Sequence, residues 1–344
     1  MDAYFETRGL DPKGGARMAL KSAVILGWVV TSYLLLLFGA TSWWTALPLA
    51  LSLGLGLAAV GFAVMHDGGH GAYSRRRWVN RLSAGVLDLM GGSSYFWHFK
   101  HNVLHHSFTN VVGVDNDIDA GAVLRVAYQQ PRRWFHRYQH LYVLPLVGLL
   151  FAPKWALFDD FVTWIRGADG KASVPRPRGR DALQLLGGKL FHLGWALVLP
   201  LALHPPLPVL VCYLVVMAVL GITLATVFQL AHVVEGTALP GRPAPHTRLE
   251  RPFFEHQLAT TADFAQGNRL LTWYVGGLNY QVEHHLFPRV SHLHYPAIAR
   301  IVEEVCRESG VPYLRHETVG AALASHVRHL RRLGREDAPA APSG

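Results

Sequence analysis

Residues 46–70 read ALPLALSLGLGLAAVGFAVMHDGGH. Nineteen uncharged residues, Ala46 to Val64, run directly into His66-Asp67-Gly68-Gly69-His70. Nineteen is about the length a helix needs to cross hydrocarbon, so the histidines stand at a membrane exit. If the helix continues past Val64, His66 and His70 share one face, a turn apart. Ser22 to Ala40 is an equally long uncharged run, and Thr41-Ser42-Trp43-Trp44-Thr45 joins the two as a short turn carrying interfacial tryptophans. The two runs predict a transmembrane hairpin.

A second hairpin is expected over 182–203 and 207–228, turning at His204-Pro205-Pro206. Its first arm contains Lys189, expected to snorkel to the interface, and His192, expected to pack between helices. The apolar stretch Leu141 to Ala152 has only twelve residues, holds Pro145 and is followed by Lys154, Asp159 and Asp160. That suits an interfacial or re-entrant helix. The choice matters through parity. With four spans, all the histidine clusters described below face one side; a crossing at 141–152 would send the last cluster to the other. Charge supports four spans. The turns 41–45 and 204–206 hold no Lys or Arg, whereas Arg8, Lys13, Arg17, Lys21, Arg75 to Arg77, Arg166, Lys171, Arg176, Arg178 and Arg180 then lie inside. After Pro288 the pattern is that of a soluble cap. Ile298, Ile301, Val302 and Val305 recur at helical spacing, and a basic amphipathic stretch runs from Gly320 to Leu333.

Composition agrees. Of 344 residues, 51% are hydrophobic and 16% charged, high and low respectively for a soluble chain. The net charge of +9 reads as positive-inside bias. No basic, aromatic-interleaved helix or zinc-finger spacing points to nucleic acid. Cys212 and Cys306 form no C-x-x-C pair, and no phosphate-cradling glycine loop follows a strand pattern.

Two further clusters match the first: His101-Asn102-Val103-Leu104-His105-His106 and Gln281-Val282-Glu283-His284-His285. His232 lies just past the last uncharged run. Seven clustered imidazoles exceed a closed zinc site of about four ligands and suit two adjacent metals. Adjacent residues such as His284 and His285 are rotated by about 100° on a helix, so they can reach different ions. Affinity does not select iron, because copper and zinc bind more tightly. Coordination does: neutral imidazoles shared between two metals leave positions open for oxygen. Carboxylates are scarce. Asp67 and Glu283 are expected to accept from imidazole N–H groups rather than ligate. Asn110, with Asp115 and Asp117, is expected to brace the second cluster or cap its helix. His98 and His256 are read as ordinary structural histidines.

Met65–Ala72 (MHDGGHGA), His101–Asn110 (HNVLHHSFTN) and Gly276–Pro288 (GGLNYQVEHHLFP) resemble the membrane fatty acid desaturases, as does Phe228–His232. The likeness runs over roughly 25–315, and Gln281 is similar to the front-end and linoleoyl-CoA-like branch. It implies an all-α integral membrane protein with four transmembrane helices in two hairpins, interfacial helices and a cytoplasmic cap. One domain is expected over 1–330, with the cap at 65–181 and 229–330 and a disordered tail at 331–344. Both termini would be cytoplasmic, at a bacterial inner membrane. Residue by residue, the implied ligands of two non-haem irons are His66, His70, His101, His105, His106, His232, His284 and His285. Where relatives place an asparagine one turn before the extra histidine, this chain has Phe228.

The implied reaction uses O2 and two electrons to introduce a cis double bond into a fatty acyl chain carried by CoA, lipid or carrier protein. Many relatives of that branch carry a fused haem domain. Only about twenty residues precede the first span here, so electrons are expected from a separate ferredoxin or cytochrome with its reductase. Tyr95-Phe96-Trp97 is a candidate wall for an acyl tunnel, with core packing as the alternative. Lys100 and Arg75 to Arg77 are candidates for holding an acidic headgroup, with the membrane surface as the alternative. The same scaffold could instead hydroxylate an alkane, sterol, carotenoid or other lipid. A zinc-dependent membrane hydrolase would need one metal, and a transporter should place histidines at mid-membrane.

Overall fold

The computed structural model describes residues 2–118, 121–170, 172–241, 249 and 251–336; Lys171 and the expected tail over 337–344 lie outside them. Among the described residues, five helices are long and apolar enough to cross a bilayer: Gly15–Gly39, Trp43–Gly69, Trp134–Arg166, Arg180–Leu203 and Pro206–His232. The four expected spans fall within the first, second, fourth and fifth. The turn at 41–45 is a capping box, in which Ser42 and Thr45 satisfy each other's backbone. Pro206 opens the last helix at a position where its missing N–H costs nothing.

The 43–69 helix is the central rod. It packs on the 15–39 and 206–232 helices through glycines that let backbones approach. A Cβ on Gly54 would lie 2.8 Å from the Val216 carbonyl oxygen, and one on Gly56 would lie 2.9 Å from Val29. Gly148 and Gly221 do the same where the 134–166 helix crosses the last one, against Ile222 and Ala152. Leu53, Leu57, Val60, Phe62, Met217 and Leu220 fill the core between the rods.

The 134–166 helix departs from expectation. The short run at 141–152 is the middle of a continuous 33-residue helix. Its charges hid its length, because they are neutralised in place: Lys154 pairs with Asp159, and Asp160 with Lys189 at 2.6 Å. Lys189 therefore does not snorkel; it is buried among the helices. His192 packs between helices as expected, 3.3 Å from the Tyr213 hydroxyl. Both ends of the 134–166 helix touch cap elements. Gln139 donates to Leu330 O at 2.8 Å, and just past the other end Asp169 pairs with Lys100 at 3.1 Å.

In the cap, helix Tyr295–Ser309 buries Ile298, Ala299, Val302 and Cys306, but Val305 faces out. Helix Val319–Leu333 buries Ala322, His326, Leu330 and Leu333, so the residues 331–333 assigned to the tail are helical. The chain is not purely helical: Ala168–Asp169 pairs antiparallel with Ala172–Ser173, and Asp263–Phe264 parallel with Arg315–His316. Cys212 and Cys306 are free thiols.

A glycine pair fixes the last cluster to the central rod. Gly276 and Gly277 both have positive φ, and a Cβ on Gly276 would lie 2.4 Å from the Phe62 carbonyl oxygen. Gly276→Ala should destabilise the protein by about 1–3 kcal/mol, read as a lowered unfolding temperature in detergent. An unchanged temperature would refute that close approach.

Candidate metal centre

Four segments deliver the histidines. His66 and His70 leave the 43–69 helix, and His232 ends the 206–232 helix. His284 and His285 sit on the short helix Gln281–Leu286. The second cluster lies on a turn wound i→i+5 over His98–His105, in which His106 N donates to His101 O at 3.0 Å. A similar turn over Val60–Met65 precedes His66. The expected i,i+4 geometry at 101–105 is thus replaced by wider winding, a feature that recurs at functional sites.

The eight imidazoles meet. The ligand nitrogens of His66, His70, His101 and His284 lie within 4.8 Å of one another, as do those of His105, His232 and His285, and those of His106, His284 and His285. His101, His105 and Asp117 form a further such group. Ring centroids of His66 and His284 are 4.5 Å apart, and those of His105 and His232 4.8 Å. His284 belongs to one grouping with the first cluster and to another with His106 and His285, so it sits between the two halves of the site.

A hydrogen-bond partner orients each of five rings, and all of these partners but Asp117 are buried. His105 Nδ1 is 2.8 Å from Asp115, His285 Nδ1 is 2.8 Å from Gln257 Oε1, and His284 Nδ1 is 3.2 Å from the Tyr295 hydroxyl. His101 Nδ1 faces Asp117 and His232 Nδ1 faces the Thr260 carbonyl, each at 3.3 Å. With Nδ1 occupied, Nε2 points inward. The Nε2 atoms of His70, His105, His106, His284 and His285 are buried without a hydrogen-bond partner. Buried polar atoms are rarely left so, and a cluster of orphaned imidazole nitrogens is what metal ligation would satisfy. Burial first, and neighbouring imidazoles second, push His70, His106, His284 and His285 far below the usual histidine range. Those rings are neutral, the form that binds metal. At His105 burial is the largest influence and opposes charge, but the Asp115 carboxylate together with Asp117 makes the shift upward. The donor set fits metal.

The expected bracing residues behave differently. Asp67 turns away from the site and takes hydrogen bonds from Ser291 and His292, each at 2.9 Å; His292 in turn meets Lys21 at 2.8 Å. Glu283 accepts from the Tyr313 hydroxyl at 3.0 Å rather than from an imidazole, and burial, then the Asp263 carboxylate, raises its pKa well above the usual range. Asn110 has φ of 59° and donates to the carbonyls of His232, Ala238 and Thr260. It ties the second cluster's loop to the extra histidine's backbone. Gln257, Thr109 and Tyr295 were not foreseen. Gln281 Nε2 lies 2.9 Å from His232 Nε2, and Phe228 packs 4.7 Å from that ring, giving it an apolar neighbour. His256 bonds Thr109 O at 3.0 Å and His98 is exposed, both apart from the groupings.

A cleft opens beside the histidines. Trp97 stacks on His101 at 4.6 Å, and both line it with Phe96, Leu87 and Trp155; Asp117 and Asp160 also line it, and Lys100, Asn116 and Asp169 give it a polar mouth. Trp97 and Phe96 thus face this cleft, while Tyr95 packs against Phe96 and Phe99. Arg75 instead pairs with Asp11 on the surface.

Comparison with known proteins agrees with this geometry. The "Fatty acid desaturase" family matches residues 41–316. The sn-1 linoleoyl-lipid 6-desaturase of Arthrospira platensis is 38% identical over 334 residues, 97% of this chain and 90% of its own. The enzyme of the same name from Synechocystis is 36% identical, over 97% of this chain and 93% of its own. The acyl-lipid (8-3)-desaturase of Physcomitrium patens is 39% identical, over 97% and 70%. A family match across most of the sequence, with relatives this similar along nearly its whole length, makes this chain a member of the fatty acid desaturase family, a membrane oxidoreductase that desaturates acyl chains.

Proposed function

We propose that the eight histidines hold two iron ions and that the chain inserts a cis double bond into an acyl chain esterified in a membrane lipid. The single observation carrying this is the set of inward, unpartnered imidazole nitrogens next to a cleft with aromatic walls. Relatives named for lipid-linked substrates favour a lipid ester over CoA or carrier protein. Iron in such an all-nitrogen shell supplies, with O2 and two electrons, an oxidant strong enough for an unactivated methylene, which no side chain can attack. The protein's share is positioning. Asp115, Gln257 and Tyr295 fix ring orientation; Trp97 and Phe96 align the chain against His101 and keep water from it; Lys100 and Asp169 mark where the polar end rests. Electrons arrive from a separate ferredoxin or cytochrome.

The 134–166 helix is read as lying along the cap side of the membrane. Two spans then separate the second and third clusters, which agrees with ring centroids of His101 and His284 only 6.1 Å apart. Four spans follow, with both termini cytoplasmic at a bacterial inner membrane.

The test is expression in a host of simple lipid profile, with double-bond mapping of its acyl chains and metal analysis of purified protein. A new cis bond and about two irons per chain are expected. An oxygenated product would assign a hydroxylase; one zinc per chain with reductant-independent activity would overturn the reading.

A further inference from the structure

Two cavities flank one thin wall. Leu87, Trp155 and Asp160 line the cleft beside His101, the first two packed on the 90–92 turn. Beyond, among the spans, lies an apolar cavity bordered by Met90, His192, Trp195 and Tyr213. The wall is packed to its limit. A Cβ on Gly92 would lie 2.5 Å from the Trp155 ring and 2.9 Å from Leu87, and one on Gly91 would lie 3.0 Å from His192. One buried cation joins its three segments. Lys189 Nζ donates to Ala156 O at 2.9 Å, bonds the Gly91 carbonyl, and pairs with Asp160 at 2.6 Å, with 5% and 4% of the two side chains exposed.

The pair touches none of the eight histidines, although Asp160 lines the cleft with His101. Stability is a weak reason for it, because an apolar pair of similar volume commonly serves as well. What the pair does achieve is geometric: it fixes the helix backbone at Trp155 and the 90–92 turn against each other, and so holds the indole in place along the cleft.

We propose that Trp155, held by Gly91, Gly92 and the Lys189–Asp160 pair, closes the distal end of the acyl cleft and sets the longest chain the enzyme accepts. The proposal rests on the cleft being the acyl site. The polar mouth at Lys100 and Asp169 retains the ester end, so the methyl end runs toward the wall. A closed wall of Leu87 and Trp155, with Asp160 tied to Lys189 beside them, discriminates against one surplus methylene by roughly 10–200-fold. Removing the indole lengthens the cleft toward a cavity already lined for hydrocarbon.

The experiment feeds expressing cells a series of acyl chains, each two carbons longer at the methyl end, and measures conversion and bond position. Wild type should show a length beyond which conversion falls by about 10-fold or more. Trp155→Ala should raise that limit by at least one step, with the bond position from the carboxyl end unchanged. Gly92→Ala, which presses on the indole, should lower it. Opposite shifts separate a wall from general damage. Should Trp155→Ala fail to accumulate in membranes, Trp155→Leu is read in its place. Variants that desaturate the shortest chain with the wild-type limit overturn the proposal, as does a displaced double bond at an unchanged limit. Absence of product from every chain in wild type would instead overturn the functional reading.

Discussion

His284→Ala should abolish desaturation, by on the order of 100-fold or more, a larger loss than removing a residue that merely orients a ligand. The reason lies in its position. His284 is fully buried, its Nε2 has no protein partner, and it belongs to groupings on both sides of the centre. Its removal leaves His66, His70 and His101 without their fourth nitrogen and also breaks the triplet with His106 and His285. Metal content should fall by about half, since ligand number sets retention. His98→Ala, at an exposed histidine outside the groupings, is the control and should retain activity. A His284→Ala protein present in membranes at wild-type level and keeping more than about a tenth of its activity would refute a central role for this ring.

The site was legible in the sequence to the extent that it is local. Histidines that follow an uncharged run of membrane-spanning length must emerge at a surface, as His66, His70 and His232 do, and the other two clusters repeat the same residue type at short spacing. The apolar helices that contain the four expected spans could be read for the same reason. What escaped depends on contacts distant in sequence. Gln257 and Tyr295 orient His285 and His284, and the spacing of the clusters marks neither as a ring partner. Asp67 and Glu283 drew attention by adjacency to ligands, but on a helix the next residue points about 100° away. They accordingly face His292 and Tyr313 on the far side of their segments. The 134–166 helix was shortened by its charges. A sequence window counts Asp160 as a cost, whereas the fold cancels it with Lys189, a residue on another helix. The wide winding at 98–105 leaves no periodic signature in a stretch with two apolar positions per turn or fewer.

Asp115 carries the second large effect. It is fully buried, and one carboxylate serves three groups. Oδ2 lies 2.8 Å from both His105 Nδ1 and the Asn110 amide, which donates to it, and Oδ1 accepts from the Asp117 amide at 3.0 Å. The carboxylate therefore sets the His105 tautomer, with the proton on Nδ1 and the lone pair of Nε2 directed inward, and holds the positive-φ turn at Asn110 that anchors the loop to His232. Asp115→Asn keeps the shape but supplies one acceptor oxygen and an amide donor. If the amide faces His105, the ring must present Nε2–H to the centre, the wrong form for a ligand. Activity and metal affinity should each fall about 10–100-fold, while Asp117→Asn, at a longer 3.3 Å contact on a partly exposed group, should cost less. Metal titration of the purified variant separates this from misfolding. A protein that unfolds at the wild-type temperature but needs more metal for half-maximal activity fits a carboxylate acting through His105. Equal metal affinity in variant and wild type would show that His105 needs no such partner.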